Sequence, residues 1–335
     1  MKFVSFSTPE IPEPHLGLVR DEEVIDVDLA GRALQVAVPD QMLDLIDRYE
    51  QYKPGVQAIV DKAGGRRFSQ VRTFTEIGAA HALNAVQLAA PIPRTRKNVL
   101  CVAINYREHA QETGHIREHK GVPPEIPVFF TKAPTAINGP YGEIVIDPAV
   151  SQEIDWEAEL AVIIGRRGKN IREEDALSYI FGYSVLNDVT ARDLQARHKQ
   201  FFKGKSLDGS CPMGPWITTA DEIADPQNLN LSLRVNGVTK QSSNTRLMIF
   251  PIPVLIATLS RGMTLEPGDI IATGTPSGVG FSRTPPEFLK PGTRAPRPSS
   301  SSQAISWRPK SSISALSGMR WWAWVKRQEY VTSRR

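Results

Sequence analysis

Three acidic residues at alternate positions, Asp155, Glu157 and Glu159, open the stretch of this chain best suited to chemistry. At the two-residue period of a β-strand, their carboxylates share one face. The opposite face is then apolar and consists of Trp156, Ala158, Leu160, Val162 and Ile164. Neighbouring carboxylates repel one another, so the acidic face is either a solvated edge or a site for a hard cation such as Mg²⁺, Mn²⁺ or Ca²⁺.

A second pair with chemical potential, His109 and Glu112, follows an apolar stretch typical of a strand. On a helix, a spacing of three residues places both side chains on one face, within reach of a hydrogen bond. A carboxylate that holds one imidazole nitrogen raises the basicity of the other, which can then take a proton from water. Ordinary ion pairs on helix surfaces have the same spacing, so the pair alone does not establish a catalytic role.

The elements that must position these residues are mostly short strands interrupted by Gly and Pro. Helical spacing is predicted over 42–49 and near 133–137, 173–177 and 248–259. Because strands and helices do not alternate regularly, the pattern predicts an α+β, mainly β fold and not a parallel α/β fold. We assign 1–75 to a small N-terminal α+β domain, 76–96 to a linker rich in Ala and Pro, 97–291 to the main domain and 292–335 to a tail.

The charge of the 335-residue chain is unevenly distributed. After Gly292 there are nine Lys and Arg residues against the single acid Glu329, or +8, so the net charge of +4 leaves −4 for the remainder. A nucleic-acid partner is therefore not expected for the mildly acidic body. The tail itself, rich in Arg, Ser, Pro and Trp, has the composition of a poorly ordered segment.

Targeting and redox signals are few. The N-terminal residues lack the apolar core of a secretory signal, and no stretch is apolar enough to cross a membrane, so we expect a cytoplasmic protein without membrane association. Two cysteines, Cys101 and Cys211, are too few for a disulfide framework or a thiolate zinc site. We expect both to be buried.

Six motifs occur in order along the chain. They are NYREHAQE (105–112), PVFFTKAP (127–134), DWEAEL (155–160), NDVTARDLQ (187–195), GKSLDGSCPMGP (204–215) and TGTPSGVG (273–280). As an ordered set, they resemble the fumarylacetoacetate hydrolase family. The resemblance covers about 97–290. It implies a mixed β-roll or barrel catalytic domain that commonly forms a homodimer.

The resemblance also implies roles for individual residues. The metal ligands, usually for Mg²⁺ or Mn²⁺ with Ca²⁺ as an alternative, would be Glu157, Glu159 and Asp188. The residues implied in catalysis are His109, Glu112 and Lys205. Substrate binding would fall to Tyr106, Arg192, Gln195 and Thr275.

These roles suit cleavage of a C–C bond in a 2,4-dioxo acid such as an acylpyruvate or fumarylpyruvate. The metal would stabilise the pyruvate enolate that leaves, while His109 activates water and Lys205 donates a proton to the departing carbon. Decarboxylation of an oxaloacetate-like acid or isomerisation of a 2-hydroxydienoate would use the same enolate without attack by water. A non-catalytic protein that interacts through the basic tail is an alternative of another class.

The tail departs from the family pattern, because an alternating, valine-rich strand that helps to close the domain is expected after Gly292 and is absent from the sequence. A missing strand leaves its neighbour with an unpaired edge. We predict that replacing 293–335 with an alternating Val and Glu strand raises the melting temperature. A chimera that melts no higher, together with a native tail that resists limited proteolysis, would show that the tail is a folded part of this protein.

Overall fold

The computed structural model describes residues 1–64, 73–113, 122–290 and 320–321. Its strands are β1 Lys2–Ser7, β2 His15–Arg20, β3 Glu23–Asp26, β4 Ala80–Ala82, β5 Gln87–Leu88, β6 Val99–Val102, β7 Phe129–Lys132, β8 Ile137–Asn138, β9 Ile154–Asp155, β10 Ala158–Ile164, β11 Ile180–Asn187, β12 Thr190–Ala191, β13 Cys211–Pro212, β14 Ile217–Thr219, β15 Asn230–Val235, β16 Val238–Asn244, β17 Ile270–Ala272 and β18 Arg320–Trp321. The α-helices are α1 Val27–Leu34, α2 Met42–Asp47, α3 Tyr49–Gly64, α4 Arg107–Thr113, α5 Arg192–His198, α6 Phe201–Lys205 and α7 Ile252–Ser260. Short 3-10 helices cover Pro134–Ala136, Glu173–Tyr179, Ala220–Glu222 and Thr245–Leu247.

One large mixed sheet organises the chain. Its strands lie in the order β4-β3-β2-β1-β14-β11-β10-β17-β6-β7, and β5 pairs with β1 as an eleventh strand. Neighbours are antiparallel except β17 and β6, which are parallel. The predicted α+β, mainly β fold is confirmed.

Strand β10 lies near the middle of this sheet and is buried along its whole length. Its alternation is as predicted, since Leu160, Val162 and Ile164 belong to one hydrophobic core while Ala161 and Ile163 belong to another on the opposite face. A strand covered on both faces becomes apolar on both sides, which explains the aliphatic run.

The continuous strand predicted from Asp155 is wrong in one respect, because the backbone breaks at Trp156 and Glu157 between β9 and β10. Side chains satisfy the amides at the break. The Trp156 N–H donates to Asp155 Oδ1 at 2.8 Å, and the Glu157 N–H donates to Asn187 Oδ1 at 2.9 Å. Both amides therefore have partners without a strand ladder.

The first 90 residues contribute β1 to β5 and α1 to α3 to the same structure. Strand β1 pairs with β14, so the sheet runs without interruption from the predicted N-terminal domain into the main domain. The segment 76–96, expected to be a linker, contains β4 and β5, which pair with β3 and β1. The domain boundaries themselves stay predictions.

Helical segments follow the predicted positions, with differences in type. The segments predicted near 133–137 and 173–177 are 3-10 helices, whereas α7 is an α-helix that begins directly after Pro251. Its buried residues recur at helical spacing and are Ile252, Leu255, Ile256 and Leu259. No helix in the described part of the chain is long and apolar enough to cross a membrane.

Two further predictions concern cysteines and the tail. Cys101 and Cys211 are both buried and unpaired, as expected. The tail predicted over 292–335 lies outside the described residues except for β18, whose backbone pairs in parallel with β15.

Candidate metal centre and active site

Three carboxylates converge where β10 begins and β11 ends. Antiparallel pairing sets Ala158 opposite Asn187, and the Asp188 N–H donates to the Glu157 carbonyl at 2.8 Å. Glu157, Glu159 and Asp188 are each at least 96% buried, and one ligand oxygen of each lies within 4.8 Å of the others. The three residues predicted as metal ligands are therefore brought together in one buried cluster.

Three buried cations surround these carboxylates. Lys205 Nζ lies 2.7 Å from both Glu157 Oε2 and Asp188 Oδ2, and so bridges the two residues. Lys132 Nζ lies 2.8 Å from Asp188 Oδ1 and donates to the Val189 carbonyl at 3.1 Å. The third cation, Arg192, lies 2.6 Å from Glu157 Oε1.

Asp155 completes the charge distribution but does not belong to the cluster of three. It pairs with Arg192, whose Nε and Nη2 lie 2.9 and 2.7 Å from Asp155 Oδ2. Its Oδ1 also accepts the Gly280 N–H at 2.6 Å. Four buried carboxylates therefore face three buried cations, which leaves one negative charge in excess when every group is ionised.

Burial and the neighbouring charges together determine the direction of each pKa shift. Burial and the nearby carboxylates of Asp188 and Glu157 raise the pKa of Glu159 well above its ordinary value. Burial alone would raise the pKa of Glu157 as well, but Lys205 and Arg192 lower it. Burial opposes the charge of Lys205, yet Asp188 and Glu157 raise the pKa of that ammonium, so it is protonated at neutral pH.

The donor set fits a hard divalent cation. Oxygen ligands from carboxylates are the ones that such ions prefer, and the raised pKa identifies Glu159 as the carboxylate whose ionised form is least stabilised, which a bound cation would stabilise. Glu157, Glu159 and Asp188 would hold the ion, and two of them would share their oxygens with Lys205.

The predicted dyad of His109 and Glu112 is formed within one short helix. His109 and Glu112 lie on α4, and His109 Nδ1 is 2.8 Å from Glu112 Oε1. The other carboxylate oxygen of Glu112 accepts the Gly278 N–H at 2.9 Å, which fixes the dyad against the loop after β17. His109 also helps to lower the pKa of Glu157, after the larger effects of Lys205 and Arg192. With Nδ1 held, proton transfer would fall to Nε2.

The four residues predicted to bind substrate have different surroundings. Arg192 is held by Asp155 and Glu157, and its Nη1 donates to Gln195 Oε1 at 3.2 Å. The Thr275 hydroxyl donates its single proton to the Ala158 carbonyl at 3.0 Å, so it can offer a substrate only a lone pair. The Tyr106 hydroxyl is buried without a hydrogen-bond partner among the described residues, and burial and the charge of Glu159 raise its pKa.

Sequence reasoning assigned no role to two residues that hold the site together, Lys132 and Gln241. It also placed Asp155 on one acidic face with Glu157 and Glu159, whereas in the structure Asp155 pairs with Arg192. Lys132 ends the strand Phe129–Lys132 and is fully buried, which a lysine in an apolar strand could have signalled. Gln241 occurs in a polar stretch with no such signal. His115 and His119 lie outside the described residues.

We predict that Lys132→Met lowers the free energy of unfolding by about 3 kcal/mol, because removing one partner leaves a buried carboxylate less compensated. Arg172→Met is the control, since Arg172 pairs with Asp175 at 2.7 Å but both side chains are exposed, at 68% and 45%. Its cost should be at most about 1 kcal/mol. Urea denaturation of both variants measures the difference, and equal costs would contradict the assignment of Lys132.

We also predict that Mn²⁺ binding releases protons. The pKa of Glu159 is raised, so this group keeps its proton to higher pH than a carboxyl group in water, and a metal ion must displace that proton. Affinity for Mn²⁺ should therefore fall as the pH falls through this raised pKa. Calorimetry in two buffers of different ionisation enthalpy measures the released protons, and identical heats in both would contradict the prediction.

Comparison with known proteins gives consistent matches. Residues 98–295 match the family described as fumarylacetoacetate (FAA) hydrolase C-terminal. The chain is 43% identical over 281 residues to oxaloacetate tautomerase YisK of Bacillus subtilis (strain 168), covering 83% of this chain and 89% of that protein.

Solved structures agree with the sequence match. The fumarylacetoacetate hydrolase of psychrophilic Exiguobacterium antarcticum is 38% identical, with a TM-score of 0.69 over 88% of this chain and 93% of that one. Maleylpyruvate hydrolase of Sphingobium sp. SYK-6, solved with a manganese(II) ion and pyruvate, is 33% identical, with a TM-score of 0.63 over 84% and 90%. These matches, which extend over most of the described chain, show that the protein belongs to the fumarylacetoacetate hydrolase family.

Proposed function

We propose that the protein interconverts the keto and enol forms of a short 2-oxo diacid, with oxaloacetate as the first candidate, and that it requires Mg²⁺ or Mn²⁺. The single observation that carries the proposal is the buried cluster of Glu157, Glu159 and Asp188 beside Lys205. The similarity to an oxaloacetate tautomerase over 83% of the chain supports this choice among enolate reactions.

Charge supports an anionic substrate. The four carboxylates and three cations carry one excess negative charge, which one divalent ion would convert into an excess of one positive charge. An oxo diacid with two negative charges would then be attracted to the site. A neutral ketone would gain nothing from this field.

Tautomerisation requires one group to remove a proton from C3 and another to supply a proton to the enolate oxygen. A bound divalent ion would act as a Lewis acid that stabilises negative charge on that oxygen. His109, held by Glu112, would act as the base, and protonated Lys205 would act as the acid or as a fixed positive charge. Arg192 and the Tyr106 hydroxyl would orient the carboxylates of the substrate.

Hydrolysis of a C–C bond in a 2,4-dioxo acid is the second candidate, and the His109–Glu112 dyad is the observation that favours it. A maleylpyruvate hydrolase is also among the similar structures. The dyad does not separate hydrolysis from reactions without water, because removal of a proton from C3 needs a base just as activation of water does.

The other expected properties stay predictions. They are a decarboxylase activity, the homodimer, the cytoplasmic location and the absence of a nucleic-acid partner. The non-catalytic alternative is less favoured. Burying a cluster of carboxylates costs free energy, and an interaction through the basic tail does not require such a cluster.

Two assays and two variants test the proposal. With Mg²⁺ or Mn²⁺ the protein should accelerate decay of the ultraviolet absorbance of enol-oxaloacetate, and excess chelator should abolish the effect. His109→Ala should lower kcat roughly a hundredfold to ten-thousandfold while Mn²⁺ affinity stays nearly unchanged. Glu157→Gln should weaken both Mn²⁺ binding and activity.

Release of pyruvate from acylpyruvates, measured with a coupled lactate dehydrogenase, identifies the second candidate. If pyruvate is released from acylpyruvates faster than enol-oxaloacetate decays, the main activity is hydrolysis and not tautomerisation. Full activity in excess chelator would contradict both candidates, and loss of Mn²⁺ binding in His109→Ala would mean that this histidine has another role.

A further inference from the structure

The backbone between the two clustered glutamates is supported by strands on one side only. At Glu157 the carbonyl accepts the Asp188 N–H, so this peptide faces β11. Ala158 faces the opposite direction, toward β17, but pairing with β17 starts only at Ala161. The N–H and carbonyl of Ala158 therefore need partners beyond the end of that strand.

The side chain of Gln241, from β16, supplies these partners together with Thr275. Gln241 Oε1 accepts the Ala158 N–H at 2.9 Å, and Gln241 Nε2 donates to Thr275 Oγ1 at 2.7 Å. The Thr275 hydroxyl in turn donates to the Ala158 carbonyl at 3.0 Å, which closes a ring of hydrogen bonds on one residue. Nε2 also donates to the Pro276 carbonyl at 2.9 Å. Gln241 is 1% exposed, so water does not compete for these bonds.

We propose that Gln241 is a positioning residue for the metal centre, a role that rests on the metal-dependent function proposed above. Ala158 separates Glu157 and Glu159, whose carboxylates repel each other inside the protein. The Gln241 amide takes the place of a neighbouring strand at this point and fixes the peptide that carries both ligands. Residues that hydrogen-bond to metal ligands, or to the backbone that carries them, hold those ligands in the arrangement that the ion requires.

The same ring changes the role of Thr275. Its hydroxyl proton and one of its lone pairs are used within the ring, so its main contribution is to hold Ala158 and not to bind substrate through that proton. Both side chains lie outside the cluster of carboxylates. Their effect on a metal ion therefore passes through the backbone, at Ala158 for both residues and, for Thr275, also at the adjacent Gly274, whose N–H donates to Glu159 Oε2 at 2.7 Å.

Gln241→Met keeps the length of the side chain and removes all three hydrogen bonds. We expect Mn²⁺ affinity to fall roughly tenfold to a hundredfold, measured by calorimetry or by electron paramagnetic resonance of Mn²⁺ without substrate. Gln227→Met is the matched control. Gln227 also uses both ends of its amide on backbone groups, at Thr245 and Ile252, but it contacts neither the ligands nor Ala158.

Thermal unfolding without metal separates positioning from general stability. Both glutamine variants should melt at lower temperature, while only Gln241→Met should lose Mn²⁺ affinity. Thr275→Val opens the same ring with a side chain of similar shape, so it should weaken Mn²⁺ binding even if Gln241→Met does not fold. The double variant should lose little more Mn²⁺ affinity than either single variant, because both substitutions open the same ring of hydrogen bonds.

Wild-type Mn²⁺ affinity in Gln241→Met or in Thr275→Val would overturn the positioning role and leave the proposed function intact. An equal loss of affinity in Gln227→Met would also overturn it, because the effect would then reflect stability alone. Wild-type protein that binds no Mn²⁺ would remove the metal-dependent function and this inference together.

Discussion

The structure depends on keeping four carboxylates buried close to one another. Removing ionised carboxylates from water is costly, and their mutual repulsion adds to the cost in the protein interior. Lys132, Arg192 and Lys205 offset most of it, each within 2.8 Å of a carboxylate oxygen. Glu159 is the least compensated of the four, because burial and two neighbouring acids raise its pKa. A cation could replace the proton that this carboxyl group holds, so the cluster is suited to binding one.

The sheet provides the rigidity that such a cluster needs. Two of the carboxylates extend from the start of β10 and the third follows the end of β11, and antiparallel register brings these strand ends together. Cores on both faces of β10 hold the strand, so the ligands project from a backbone that cannot easily shift. Because the strand is interrupted at Trp156, Asp155 does not join the cluster of the other three carboxylates. It forms an ion pair with Arg192 instead.

Local patterns were predictable and long-range contacts were not. The spacing of His109 and Glu112 on one helix and the alternation of Glu157 and Glu159 each follow from a single element, and both were recovered from the sequence. By contrast, the Lys132–Asp188 contact joins residues 56 apart, and the Gln241–Ala158 contact joins residues 83 apart. Such pairs depend on sheet topology, which strand patterns alone do not determine. Family motifs supplied Asp188, Arg192 and Lys205, which periodicity would not have connected.

The choice between tautomerisation and hydrolysis depends on the substrate more than on the cluster. A base beside an oxygen-ligand site can remove a proton from C3 or from water with the same geometry of donor and acceptor. In oxaloacetate the C4 atom is part of a carboxylate, whose negative charge resists attack by hydroxide, so proton transfer or decarboxylation remains and hydrolysis does not. In an acylpyruvate the C4 atom is a ketone, and the same residues could direct water to it. Specificity would therefore come from the groups that select the substituent at C4, because His109, Glu112 and the carboxylate cluster could serve either reaction.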